Sequence, residues 1–295
     1  MPVTARTSYG QIVTAKLRQK LVTGAFFNRD YQGDANAGTV MIPTTPEDVV
    51  RSYDKNNIGN NTVSYDANAW IPALVDQDVF IDKYLDGYNV ASLPYNVIAD
   101  NLDRAGYAIA KAMDTHGILT LVRGAQGLDK NGNAFTSADP RYDAGGNYGI
   151  IKSVGSSDVY DVLTDLSGEM TDAGVPEEDR YLGVNGDFKA KILQSNKAIR
   201  QGQLSQELVL KGVIAEIAGF EVYATGQVSG TIGSDKLYAI AGHPAFATRV
   251  ESFKVEPAVF DGNGDANIVG GVLIKGRYVF THEVQNPKAF GLITA

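Results

Sequence analysis

Ile98, Leu102, Ala105, Ile109, Met113, His116 and Leu119 recur at steps of three and four, the period of one face of an α-helix. The spacing predicts a helix over residues 94–122. Ser92 can cap its start, Pro94 is tolerated in the first turn because its missing N–H would have no partner there, and Gly124 offers a stop. At ~1.5 Å per residue the rod is roughly 40 Å long. A helix so long and apolar on one side only needs an extended surface beneath it. The expectation is a spine laid across a sheet built from distant sequence. Gly106 sits inside it, where glycine costs about 1 kcal/mol relative to alanine. Close backbone packing at Gly106 is the expected reason.

Before the spine, Thr39–Ile42, Val49–Tyr53 and Thr62–Tyr65 are short apolar runs bounded by Pro43, Pro46 and the polar turn DKNNIGNN at 54–61. Val63, Tyr65, Ala67 and Ala69 alternate with polar residues, and Leu74–Ile81 follows. This is a β-hairpin pattern over 36–82 with too few large apolar residues for a core of its own. After the spine, 123–149 reads as a long loop or small satellite hairpin. Val159, Val162, Leu163, Leu166 and Met170 then define a second helix, with Ser157 as cap, Gly174 as stop and Pro176 beyond. Residues 180–184 form an expected buried strand and 187–195 a third helix. Two strands flank Ala218–Gly219, and 236–243 is another. The tail reads as strands at 247–257, 270–284 and 287–295. Strands thus occur both before and after the helices, which gives an α+β architecture with a late, non-local sheet.

The composition, 44% hydrophobic and 20% charged over 295 residues, is that of a folded protein. A net charge of −8 argues against a protein that grips nucleic acid with a basic face. Against this background the first 29 residues stand out, with Arg6, Lys16, Arg18, Lys20 and Arg29 and no acid. Val13, Leu17 and Leu21 at helical spacing allow a short amphipathic helix there, either docked on its own domain or reaching an acidic neighbour. No cysteine is present, so disulfides and thiolate chemistry are excluded. No stretch approaches 18 apolar residues and no signal core opens the chain, so synthesis in the cytoplasm and no membrane partner are expected.

The search for chemistry yields little. The loops DKNGNAF from Asp129 and DGNGDANIV from Asp261 alternate Asp and Asn as calcium loops do. An EF-hand needs Gly at its sixth position and Glu at its twelfth; here Ala134 and Ala266, then Pro140 and Val272, occupy them. His116, His243 and His282 have no metal-ligand spacing, and His116 on the spine's apolar stripe reads as a hydrogen-bonded core histidine. No nucleophile elbow or phosphate-cradling loop occurs. The sequence therefore calls for no catalytic residue, metal or cofactor.

The order of elements, from basic arm and long hairpin through spine helix and α/β block to returning β tail, resembles the major capsid protein of tailed bacteriophages, the Hong Kong 97 fold. RYLGVNGDFKAKILQSNK, AEIAGFEVYATGQV and YAIAGHPAFA are similar to segments of that family, and the resemblance runs over about residues 36–295. It implies an N-terminal arm at 1–35 and an extended loop at 36–82. It further implies a peripheral domain from 83–150 with 246–295, and an axial domain at 151–245. The implied subunit contacts are Lys16, Arg18 and Lys20 on the arm, Asn57 and Ile58 at the hairpin tip, and Trp70 on its return strand. The implied partners are further copies of the chain in hexamers and pentamers and enclosed double-stranded DNA touched weakly, together with portal, scaffolding or decoration proteins. The implied location is the virion. The chain opens directly on the arm, so the scaffolding segment of some relatives is expected to be absent. An encapsulin-type nanocompartment around a cargo enzyme is the alternative within the fold. A soluble enzyme with an unrecognised site is the alternative outside it.

Overall fold

The computed structural model describes residues 21–30, 38–44, 53, 55, 69–92, 96–155, 157–195, 197, 216–261 and 270–295. In chain order a single-turn helix α1 (Thr23–Phe26) leads to the antiparallel ribbon of β1 (Thr39–Thr44) and β2 (Ala69–Leu74). Strand β3 (Gln77–Asp86), short helix α2 (Gly87–Ser92) and long helix α3 (Val97–Ala125) follow. Next come β4 (Ile150–Ser153), α4 (Val159–Asp172), β5 (Tyr181–Val184) and α5 (Gly186–Gln194). The remaining strands are β6 (Glu216–Ile217), β7 (Phe220–Ala224), β8 (Thr231–Ile232), β9 (Asp235–Gly242), β10 (Ala247–Asp261), β11 (Gly271–Val284) and β12 (Gly291–Thr294).

The spine exists, three residues further along than its pattern predicts. Asn96 is its cap, the side-chain oxygen accepting the Ala99 N–H at 3.0 Å; Ser92 belongs to α2, and Gly124 lies inside α3. Pro94 falls outside the described residues. The chain leaves the helix at Gln126 and turns at Gly127, whose φ of +74° suits glycine. The buried stripe also differs. Val97, Asn101, Ala105, Ile109, Met113, Gly117, Leu121 and Ala125 are buried, each four residues beyond the last. Each such step overshoots a full turn by about 40°, so the stripe winds around the rod. The predicted set has Ile98 and Leu102 only half-buried and Leu119 43% exposed. The cause is a change of surroundings along the helix. Its first half lies on a sheet, Ile109 and Met113 packing with Phe280. Its second half enters the main core through Ile118, Leu121 and Ala125.

Gly106 does not mark the close approach. No described atom lies within 4 Å of a Cβ built there. The crowded glycines are Gly117, whose Cβ would stand 2.7 Å from Thr23 and 3.0 Å from Phe27, and Gly124, 2.7 Å from Val284.

The sheet beneath the spine has order β10–β11–β3 and is antiparallel throughout. As expected, sequence more than a hundred residues beyond the helix supplies most of it. A second sheet carries β4–β12–β9–β5–β7–β6, with β8 beside β9. All five periodic residues of α4 are buried against it, and Asp158, one residue after the expected Ser157, caps that helix through the Tyr160 N–H at 2.9 Å. Ala218 (φ +50°) and Gly219 (φ +79°) make the tight turn between β6 and β7. Strand β4 carries no predicted pattern, being four residues long after a Gly/Asn-rich loop. Strand β12 does not stay with the neighbouring tail strands: it lies between β4 and β9, parallel to the first and antiparallel to the second.

Candidate subunit-contact surfaces

Alternation makes the β1–β2 ribbon two-faced. Ile42, Ile71 and Ala73 are buried, with Val40 packed against them. This small cluster gives the hairpin base more core than its composition promises. The opposite face shows Met41 (51% exposed), Trp70 (49%) and Leu74 (51%). The register places Met41 across from Pro72 and Trp70 across from Pro43, so that face is apolar and both prolines are exposed. Proline removes a donor and is confined to edges. Lys130, extending from the loop after α3, fixes the ribbon's root. Its ammonium pairs with Asp76 at 3.0 Å, donates to Thr281 Oγ at 3.1 Å, and reaches the Leu74 carbonyl.

A second exposed face lies on the outer side of β3–β11–β10, away from the spine. Asp78, Phe80, Asp82 and Tyr84 alternate outward, while Val79 and Ile81 pack beneath α3. Phe80 is 72% exposed. Phe80 pairs with Arg277, which pairs with Val255; residues directly opposite share a face, so the three form a row across the sheet. With Lys275 and Gly276 they line a cleft of about 600 Å³. Arg277 donates from Nε to Asp78 Oδ1 at 2.9 Å in an exposed pair, worth little to stability.

The root of the arm is stapled to both sheets. Phe26 is fully buried and stacks on Tyr181 of β5 at 3.9 Å between centroids. Asn28 donates its N–H to the Ala247 carbonyl at 2.9 Å and accepts from the Arg249 N–H at 3.0 Å.

Of the predicted contact residues, Trp70 is exposed on the apolar ribbon face. Lys16, Arg18, Lys20, Asn57 and Ile58 lie outside the described residues. The amphipathic helix expected around Val13, Leu17 and Leu21 also falls largely outside them. Phe80, Tyr84 and Val255 were not anticipated; the signal available was the alternation of Asp78, Phe80, Asp82 and Tyr84.

The buried titratable groups are structural. His116 meets His282 of β11, Nδ1 to Nδ1, at 3.0 Å, so the expected core histidine is hydrogen-bonded. His243 accepts the Ala245 N–H at 3.1 Å and caps a short turn. In the Asp129 loop the carboxylate accepts the N–H groups of Asn131 (2.9 Å) and Asn133 (2.8 Å), closing an Asx turn from within. The second loop, at 262–269, is outside the described residues. Among the described residues no group of three or more His, Asp or Glu is placed to hold a metal ion. No helix among them is long and apolar enough to cross a membrane.

Two sheets, a crossing spine and a stapled N-terminal root define the class: the chain has the fold of phage capsid proteins. It superimposes on a solved structure of Mycobacterium phage Che8 with a TM-score of 0.75 at 16% identity, over 97% of this chain and 96% of that one. Against the capsid structure of Cyanophage P-SCSP1u the TM-score is 0.73 at 14% identity, over 98% and 92%. Against the mature capsid of bacteriophage PhiM1 it is 0.65 at 11%, over 97% and 92%. No protein-family model and no curated protein sequence matches the chain.

Proposed function

We propose that this chain is a major capsid protein, a structural subunit that assembles with copies of itself into an icosahedral shell around double-stranded phage DNA. One observation carries the reading: nearly the whole chain shares its fold with subunits of phage capsids. The two exposed apolar faces support it, because a ribbon presenting Met41, Trp70 and Leu74 needs cover that the described residues do not provide. The acidic balance fits a shell that touches its genome weakly. An encapsulin-type compartment is less favoured, since the three structures compared above are those of phages.

In this reading the segment 36–82, with Asn57, Ile58 and Trp70, lies on a neighbouring subunit, and Lys16, Arg18 and Lys20 of the arm meet acidic groups of another copy. The spine and its three-stranded sheet form the peripheral unit. The seven-stranded sheet forms the axial unit, including residues 291–294. Hexamers and pentamers, a portal, and scaffolding or decoration proteins complete the assembly.

Negative-stain electron microscopy of the purified protein tests the proposal and is expected to show closed particles of a few discrete sizes. Replacing 54–61 by a two-residue turn is expected to leave a folded subunit that rarely closes shells. Wild-type protein that stays monomeric at high concentration would overturn the shell reading. Normal shells from the shortened variant would overturn the role of the hairpin alone.

A further inference from the structure

The root of the N-terminal segment is held by polar groups left incompletely matched. Asp114, fully buried on α3, turns Oδ1 to the N–H of Val22 (2.8 Å), the N–H of Thr23 (2.7 Å) and the Thr23 hydroxyl (2.8 Å). Its Oδ2 has no partner among the described residues. The His282 ring is fully buried and lies 4.6 Å from the Phe27 ring and 5.6 Å from Phe280, centroid to centroid. Its Nδ1 meets His116, and its Nε2 has no partner among the described residues. There is no slack around it: a Cβ on Gly117 would stand 3.2 Å from that nitrogen.

This packing assigns the protons. A buried N–H without an acceptor is the worse orphan, so His282 carries its proton on Nδ1 and donates it to His116 Nδ1. A further proton then has two places to go. On His116 Nδ1 it would set two N–H groups against each other at 3.0 Å. On His282 Nε2 it would bury a charged N–H with no acceptor among the described residues. The charged groups around the pair oppose it further. Arg249 from β10 acts on His282, and Arg249 is itself countered by Glu251 and Asp114 and opposed by Arg29. Lys130 and Arg123 act on His116, and only Asp76 favours its charged form.

We infer that the His116–His282 pair is an acid-released latch: while neutral it holds Phe27, and with it residues 22–29, against the spine helix, and on protonation it lets that segment go. Burial, helped by Lys130 and Arg123, holds His116 down to about 4, and burial first holds His282 well below the ordinary histidine range. A released imidazole titrates near 6.5, so the released form takes up more protons. The latch is therefore whole above about pH 6.5 and weakens as pH falls from there toward 4. The core around α4 involves no histidine of the pair and outlasts its release.

Hydrogen exchange of the full-length subunit tests this, followed by mass spectrometry from pH 7.5 to 4.5 and corrected for the intrinsic pH dependence of exchange. A peptide covering 21–30 is expected to lose at least tenfold protection, while 159–172 and 181–184 keep theirs. In the double variant His116→Gln/His282→Leu, protection of 21–30 is expected to be independent of pH. Unchanged protection in the wild type at pH 4.5, or an equal loss in the double variant, overturns the inference. If the double variant does not fold, ring-proton NMR of the wild type decides. Two of the three histidines must then titrate together, at the pH where 21–30 opens; titration near 6.5 without opening overturns the latch. Asp114→Asn separates the remaining acid group: if it alone abolishes the acid step, the carboxylate is the trigger and the inference fails.

Discussion

A Gly117→Leu subunit is expected to accumulate as insoluble protein, whereas Gly106→Ala stays soluble and gains up to ~1 kcal/mol. Both glycines sit in the same helix, and propensity alone treats them alike. At Gly106 a methyl group meets no described atom. At Gly117 even the first carbon collides with Thr23 and Phe27, which Asp114 and Tyr181-bound Phe26 hold in place. A leucine would expel the N-terminal root from the spine and open the junction of both sheets. Overpacking usually costs about 1–3 kcal/mol; here the displaced segment takes further buried contacts with it. Soluble yield and the urea midpoint of the two variants check this. A leucine variant that unfolds at the wild-type midpoint would show that the root is not held where the structure places it.

Arg141→Ala is expected to destabilise the subunit by about 3–5 kcal/mol, the usual result of leaving one member of a buried ion pair behind. Arg141 is 7% exposed and Glu283 5%. The guanidinium donates to Asp139 from Nε (2.9 Å) and Nη2 (2.8 Å), to the Val284 carbonyl (3.0 Å) and to Glu283, and it stands 4.4 Å over the Phe135 ring. Burial pushes the Glu283 carboxyl up and Arg141 pulls it back. Without Arg141 the carboxylate must be buried alone or take up a proton. Glu283→Leu added to Arg141→Ala should then recover much of the loss, which urea denaturation of the single and double variants measures. A double variant as unstable as the single one would assign the loss to Phe135 and Asp139 instead.

The sequence reading succeeded where one environment faces an element along its whole length. Helix α4 meets a single core, and Val159, Val162, Leu163, Leu166 and Met170 are all buried as their spacing predicts. Helix α3 passes from an open sheet into a closed core, so a stripe read at constant period ends on Leu119, which is exposed. The exposed apolar faces were half legible: Trp70, implied by the resemblance, is exposed on the ribbon, whereas Phe80 was not singled out although Asp78 and Asp82 alternate with it on the same outward face. Asp114 gave no signal, since a carboxylate on a helix ordinarily reads as solvated. His282 could not be tied to His116 from sequence, their bond joining residues 166 apart.

The position of β12 bears on the order in which the subunit is made. Residues 291–294 fill the gap between β4 and β9, and all four are buried. Until they leave the ribosome, β4 has no neighbour and the sheet is split in two. The three-stranded sheet likewise waits for β11 to reach β3, nearly two hundred residues upstream. Such distant pairings form slowly. A nascent chain therefore carries its apolar ribbon before either sheet is complete. A chain cut before residue 291 carries the ribbon on a body whose larger sheet is still open between β4 and β9.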